Sequence, residues 1–420
     1  MCKLKSAIIL KDRIFMPDYD SHSKMLEELG ITDDYINASK VFVRAELAPA
    51  DGDVFSNIDS WEFSVDQDIT PEWFDEKDCA ERMRNTLKEW AKTHIFVGQN
   101  GLSISHGENI FIKDCKNVDI CGKATVKYIC GDATVENICG NSTVNYIYGN
   151  ATVKYIHDNA TVENISGNAT VEYIYGDATV ESISGKATVK YIYGKATVKY
   201  ICDNAKVESI CDTAMVESIC GKATVKYIHD NAKVESICVA ATVESIYNNA
   251  TVESIYGNAT VKYICGKATV KNIYGNTIVE NICGNTTVEN IYGNTTVESI
   301  YDNATVENIS DTATVEYICD NATVESICDT ATVENIFDTA TVENICGDAT
   351  VENICGNSTV NYIYGNATVI NSPYTKWNNS AALIIADNAT FKDCYSKTIY
   401  QAGGWKFVEV KYENSKLSMK

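Results

Sequence analysis

The chain has no long apolar run. None of its 420 residues falls in a stretch approaching the eighteen or so apolar residues of a membrane helix. Its start, Met1-Cys2-Lys3-Leu4-Lys5-Ser6-Ala7-Ile8-Ile9-Leu10, holds an apolar run of only four residues before Lys11-Asp12-Arg13. That is not the pattern of a signal peptide. Positive charge is scarce: 35 Lys and Arg face 57 Asp and Glu, for a net charge of −22. Such a balance disfavours direct contact with nucleic acid or anionic lipid, and it suits solubility, cations or a basic protein partner. No Ser-His-Asp or Cys-His arrangement stands out in the order of the residues. No catalytic group, cofactor or metal is therefore expected, and the chain reads as no enzyme.

A disulfide framework is also missing. The seventeen cysteines are odd in number, and thirteen recur at one repeat position, from Cys121 to Cys355. Tyr, His, Ser or Phe fill that position elsewhere. A framework does not tolerate such exchange, so free thiols in a reducing, cytoplasmic compartment are expected. Frequent Asn-Ala-Thr triplets, glycosylation acceptors in a eukaryotic secretory pathway, favour a bacterial or phage-encoded origin.

What fills the chain is a repeat. From Gly122 to Pro373 a nine-residue unit recurs twenty-eight times without an insertion. Asp302-Asn303-Ala304-Thr305-Val306-Glu307-Asn308-Ile309-Ser310 is one example. A fixed period means a stacked repeat architecture. β-Branched Thr, Val and Ile dominate, and a Gly or Asp turn opens twenty-six of the twenty-eight units, which excludes helix. Ala at position three, Val at five and Ile at eight point inward, and position six turns a corner. Gly, Asn or Asp at positions one and two turns the next, because these residues tolerate positive φ.

Charge sets the size of the coil. Position six is Glu in eighteen units, Lys in seven, Asn in two and Ile in one. Equivalent positions on stacked coils lie about 4.8 Å apart, where like charges cost up to ~1 kcal/mol. At a spacing of eighteen residues no Lys meets a Lys: Lys154 falls between Glu136 and Glu172, and Lys190 between Glu172 and Glu208. At nine, Lys190 meets Lys199; at twenty-seven, Lys127 meets Lys154. The expected fold is mainly β: a parallel β-solenoid of nonapeptide units, about 18 residues per coil, with a small N-terminal α+β domain. Fourteen such coils predict a rod on the order of 67 Å long.

Residues 1–97 are not repetitive. Lys5–Leu10 and Arg13–Met16 read as a strand pair. Ser21 caps a helix carrying Met25, Leu26 and Leu29, which Gly30 ends. Strands follow at Val41–Leu47 and Trp61–Val65. Thr70 and Pro71 read as a helix start, and a helix over 76–94 places Cys79, Met83, Leu87, Trp90 and Ala91 on one face. Residues 98–121 lead into the array through a degenerate first repeat. Residues 122–373 form the solenoid. Residues 374–420, with their aromatic residues, form a C-terminal cap over the last open coil.

The architecture looks like calcium-binding β-rolls, pentapeptide-repeat quadrilaterals and bactofilin-like β-helices, without matching any in detail. The segments Lys11-Asp12-Arg13-Ile14-Phe15-Met16-Pro17-Asp18-Tyr19-Asp20-Ser21-His22 and Val65-Asp66-Gln67-Asp68-Ile69-Thr70-Pro71-Glu72-Trp73-Phe74 resemble a module of gut-bacterial and phage repeat proteins. In that group an N-terminal α+β module precedes Asn-Ala-Thr-Val nonapeptides of variable number. The resemblance implies an origin and carries no activity.

Candidate sites are few. Asp18-Tyr19-Asp20-Ser21-His22 gathers carboxylates and an imidazole, though a turn into a capped helix explains them more simply than a metal site. Asp66 and Asp68 near Trp61 and Trp73 suggest a pocket. Nine consecutive units carry Glu at position six: Glu280, Glu289, Glu298, Glu307, Glu316, Glu325, Glu334, Glu343 and Glu352. They suggest an acidic interaction face for an unidentified, basic protein partner. Homo-oligomers or end-to-end assemblies fit the same architecture. Gly131–Val153 recurs identically as Gly347–Val369, as copying of whole units produces. The expected function is a structural or interaction protein, acting as a rigid spacer or multivalent surface with an N-terminal docking domain. An acidic nucleic-acid mimic that inhibits a DNA-binding enzyme is the alternative, and a glycan- or metal-dependent enzyme sited in the N-terminal domain ranks last.

Overall fold

Ala7, Ile8, Ile9 and Leu10 put apolar side chains on both sides of one strand, so both faces need covering. The computed structural model describes residues 5–370 and, beyond them, only the backbone of strands within 384–419. In it this segment is β1 (Lys5–Leu10), buried along its whole length. It pairs antiparallel with β2 (Ile14–Phe15) and with β3 (Phe42–Ala48), and β4 (Glu62–Val65) adds to β3, giving the order β2-β1-β3-β4. On one face Ile8, Leu10 and Phe42 pack with Met25 and Leu26 of α1 (His22–Glu28). A single turn of helix, α2 (Tyr35–Ala38), precedes β3. On the other face Ala7, Ile9, Val43, Ala45 and Leu47 pack with Trp61 and with Cys79, Met83 and Leu87 of α3 (Glu76–His94).

The start of α3 differs from the sequence expectation. Asp75 is the cap, its carboxylate accepting from the Asp78 N–H at 2.9 Å, while Pro71 closes a separate turn with Phe74. An aspartate next to Glu76 and Asp78 favours the helix N-terminus more than a threonine does, since its charge also meets the dipole. α2 has no counterpart among the elements expected from sequence, because one capped turn has no periodicity to show.

By contacts the chain divides into two compact units, residues 1–171 and 172–420. Coils of one design occur in both. Each strand spans positions four to eight, as in Thr134–Ile138 and Thr305–Ile309. Within each unit the regular strands pair in parallel with the strand eighteen residues on: Thr134 with Thr152 and Ile138 with Ile156 in the first unit, Thr305 with Thr323 and Ile309 with Ile327 in the second. The fold is thus a parallel β-solenoid of two repeat units per coil and about 15 turns. The charge argument holds in place: Lys154 Nζ lies 3.4 Å from Glu136, and Lys271 Nζ 3.6 Å from Glu253.

Val at five and Ile at eight are both buried, as Val306 and Ile309 show. Strict alternation cannot bury residues three apart. The strand therefore bends at position six, whose residue drops out of the paired register. Position one sits at positive φ, for example +82° at Gly275 and +57° at Asp203. Aspartate can replace glycine there because its carboxylate accepts the N–H of position one in the preceding coil. Gly185 donates to Asp203, and Gly284 to Asp302, each at 3.1 Å. Ser and Thr can replace the buried Ala of position three because their hydroxyls donate three residues back, as Thr286 does to the Cys283 carbonyl at 2.6 Å.

The ladder begins at Ile95–Val97, which pairs with the strand of Ile110–Lys113. The degenerate repeat at Val118–Ile120 is one residue short at the bend, so its register shifts opposite Glu136. Past the regular array Thr368 pairs with Thr390, four residues beyond the usual offset. The aromatic cap expected of residues 374–420 lies outside the described side chains.

Candidate functional site

The structure separates the cluster Asp18 to His22. Asp20 Oδ1 accepts from Lys5 Nζ at 3.2 Å and from the Ser6 N–H at 3.1 Å. Asp18 Oδ1 faces Trp90 Nε1 at 3.0 Å and His94 Nε2 at 2.9 Å. His22 turns away from both, towards Asp66 and Glu46.

The four residues suggested as a pocket are also divided. Trp61 is in the core behind α3, its indole N–H directed to the Ser56 carbonyl at 3.4 Å. Trp73 donates to the Lys40 carbonyl at 2.9 Å. Asp66 and Asp68 do line an open groove, with Asp33, Asp34, Tyr35 and Arg44. Gln67 between them ties the groove to the sheet, accepting from the Arg44 N–H and donating to the Phe42 carbonyl.

In the coils, in-register stacking turns each repeat position into a column. Position two makes amide columns, such as Asn276 to Asn258 at 3.2 Å and Asn294 to Asn276 at 3.2 Å. Position seven makes another, with Asn308 to Asn290 at 3.1 Å. Position nine stacks aromatics: Tyr256, Tyr274 and Tyr292 lie with ring centroids 5.1 and 5.0 Å apart. These are the side-chain columns that stabilise stacked in-register strands.

The nine glutamates do not share one column. Glu280, Glu298, Glu316, Glu334 and Glu352 lie on adjacent, hydrogen-bonded strands of one sheet, and Glu289, Glu307, Glu325 and Glu343 on adjacent strands of the other. All nine are at least partly exposed. At the turns Asp302, Asp320 and Asp338 line an open cavity with Asn303 and Asn321. The acidic surface thus continues over two faces and an edge.

The cysteines bring a correction. Stacking places Cys121 and Cys139 with Cα atoms 4.6 Å apart, and they form a disulfide. The other described cysteines are free. The exchange of cysteine at position nine argues against a framework along the array but not against one local bond, because a column makes each residue and its counterpart eighteen on neighbours. Cys265 and Cys283 occupy the same relation as free thiols. A hydrogen bond from Cys265 holds the Cys283 thiol down to about 7 against its burial, while Cys265 is raised by the same bond.

One further constellation had no signal in residue order. His229 Nε2 lies 2.8 Å from Ser209 Oγ, and its Nδ1 3.0 Å from Asp230 Oδ2. Cys211 also approaches His229 and Asp230. Once the coil period is known, residues twenty apart at positions seven and nine become neighbours. The relay resembles a nucleophile pair, but Ser209 is 3% exposed, so a substrate cannot reach its oxygen. Ser182 with Cys202 and Ser218 with Cys238 repeat the contact at 3.9 and 3.8 Å, which marks it as a packing contact of the coil.

Comparison with protein-family models, curated proteins and solved structures finds no match for this chain. Among the described residues no helix is long and apolar enough to cross a membrane.

Proposed function

We propose that the protein is a non-enzymatic structural or interaction protein, whose solenoid serves as a rigid spacer and multivalent surface and whose N-terminal sheet region docks or recognises a partner. The observation that carries this reading is the uniform eighteen-residue register, which makes each surface feature recur coil after coil. A surface of repeated weak contacts gains avidity without any strong single site. The copied block Gly131–Val153 and Gly347–Val369 supports units that are exchangeable. The setting we propose is the cytoplasm of a bacterium or a phage-infected bacterium. The free thiols support that setting, and the Cys121–Cys139 bond weighs against it.

Removing residues 212–247, two whole coils, tests the reading. The shortened protein should keep its β-sheet circular dichroism, and its scattering profile should shorten by about 10 Å. Loss of folding would refute exchangeable units. A second reading, an acidic decoy for a nucleic-acid enzyme, is favoured by the unbroken run Glu280–Glu352. It requires salt-sensitive binding to a basic nucleic-acid-binding protein, weakened when several of these glutamates become glutamine. Binding that ignores salt would remove it.

A further inference from the structure

Three side chains from three elements converge beside the N-terminal sheet: His22 at the first turn of α1, Glu46 on β3, and Asp66 just past β4. One ligand atom of each lies within 4.8 Å of the others. His22 Nδ1 is 3.1 Å from Asp66 Oδ2, and its Nε2 is 3.2 Å from the Ala45 carbonyl. A backbone carbonyl can accept only a proton, so Nε2 carries one. Nδ1 then faces the carboxylates. A ring nitrogen fixed in this way by a carbonyl behind it is the usual arrangement of a histidine that ligates a metal through its other nitrogen.

Glu46 supplies the second observation. It is 7% exposed, yet among the described residues its carboxylate has no hydrogen bond or ion pair. A carboxylate so largely removed from water and without a partner is costly. Its cross-strand neighbour Ser6 has a buried hydroxyl without a partner. A proton on Nδ1 satisfies Asp66 and leaves Glu46 as it was. A divalent cation among the three atoms satisfies all of them at once. Bonds of about 2.1 Å place adjacent ligand atoms about 3.0–3.5 Å apart, which the His22–Asp66 distance of 3.1 Å already meets.

The geometry points to a divalent metal site formed by His22 Nδ1 and the carboxylates of Glu46 and Asp66. One imidazole with two carboxylates suits zinc or manganese. Three protein ligands leave further positions for water or for an oxygen ligand. Asp66 also lines the groove shared with Asp33, Asp34 and Arg44, so the open positions adjoin the surface proposed for docking. The site does not depend on the spacer reading, since it lies wholly within residues 22–66.

Chelator-treated, fully reduced full-length protein is titrated with Mn²⁺ and, separately, with Zn²⁺, and bound metal is counted after dialysis. The unaltered chain should bind one more equivalent of at least one of these metals than Glu46→Gln or Asp66→Asn. That equivalent should weaken about tenfold or more in each variant. Glu316→Gln, on the solenoid, should leave it unchanged. Counting the difference removes any Zn²⁺ held by thiols, which all four proteins share. Asp66 is 59% exposed, so Asp66→Asn reports the site even where Glu46→Gln disturbs the sheet. Equal stoichiometry and affinity in the unaltered chain and Asp66→Asn, for both metals, overturns the proposal.

Discussion

In the sheet of residues 5–65 each buried polar group has a partner of its own or none. Lys5 is 1% exposed and relies on the Pro17 carbonyl, Asp20 and the ring of Trp90. In the coils the same bond is made repeatedly: Gly185 to Asp203, Gly194 to Asp212, Gly284 to Asp302, Gly293 to Asp311. The first arrangement concentrates information, because no other residue can stand in for Asp20. The second spreads it, because the loss of one bond leaves its equivalents in other coils intact. Specific chemistry belongs where contacts are singular, and length or avidity where they recur.

The sharpest way to expose that contrast is to remove one singular partner. Asp20→Ala leaves Lys5 buried without its counter-charge and should cost about 3–5 kcal/mol. Burial already pushes the Lys5 ammonium below its ordinary value, with Asp20 opposing that shift. Hydrogen exchange should show the amides of β1 and β3 losing protection while the coils keep theirs. Equal loss in the coils would mean that the two regions unfold as one. Next in size, Ile309→Ala empties a fully buried position-eight site and should cost about 2–5 kcal/mol locally. Exchange should quicken in the coils beside Ile309 and be unchanged in β1 and β3. A change in the sheet would erase the distinction.

The same contrast explains what could be read in advance. The coil was legible because twenty-eight copies let charges vote: seven lysines, each avoiding another at eighteen residues, set the register that Lys154 and Glu136 now show. β1, β3 and α3 were legible from apolar periodicity and turn residues. The grouping of His22 with Glu46 was not, because it depends on how α1 crosses the sheet, and no local pattern encodes that. In the sequence Glu46 is only one member of the expected strand Val41–Leu47. Ser209 and His229 failed differently. They are twenty apart, and their proximity follows from the coil period only when position seven of one coil is set against position nine of the next. Cys121 and Cys139 stand at the eighteen-residue spacing itself, but the exchange of cysteine for Tyr, His or Ser at position nine speaks only against a framework along the array and says nothing of one local pair.

A smaller effect tests why Gly and Asp share position one. Gly275 has φ of +82°, and an added Cβ would come within 2.9 Å of the Gly257 nitrogen. Gly275→Ala should therefore destabilise by about 1–2 kcal/mol. Gly275→Asp carries the same Cβ but gains a carboxylate that can accept the Gly257 N–H, as Asp302 does from Gly284. It should recover about 0.5–1.5 kcal/mol of that loss, read as a higher urea midpoint than the alanine variant at unchanged slope. An aspartate variant no better than alanine would show that the column bond does not select the residue.

The smallest effect concerns charge at a single turn. A hydrogen bond from His157, then one from the Gly140 N–H, holds the Asp158 carboxyl below its ordinary 3.8. A depressed carboxyl stabilises the fold above the unfolded value, and that stabilisation is lost as pH falls through the folded value. The side chain is 57% exposed, so screening limits the gain to about 0.2–1 kcal/mol. Asp158→Asn keeps a residue that tolerates the positive φ and removes the charge. The unaltered chain should therefore exceed the variant slightly at pH 6, and the two should converge as the pH drops below 3.8. Urea midpoints measured at pH 6 and pH 3 decide it. A gap that persists in acid would mean that the turn depends on shape rather than on charge, and Asp158 would then differ from the singular ion pair of Asp20 in kind as well as in size.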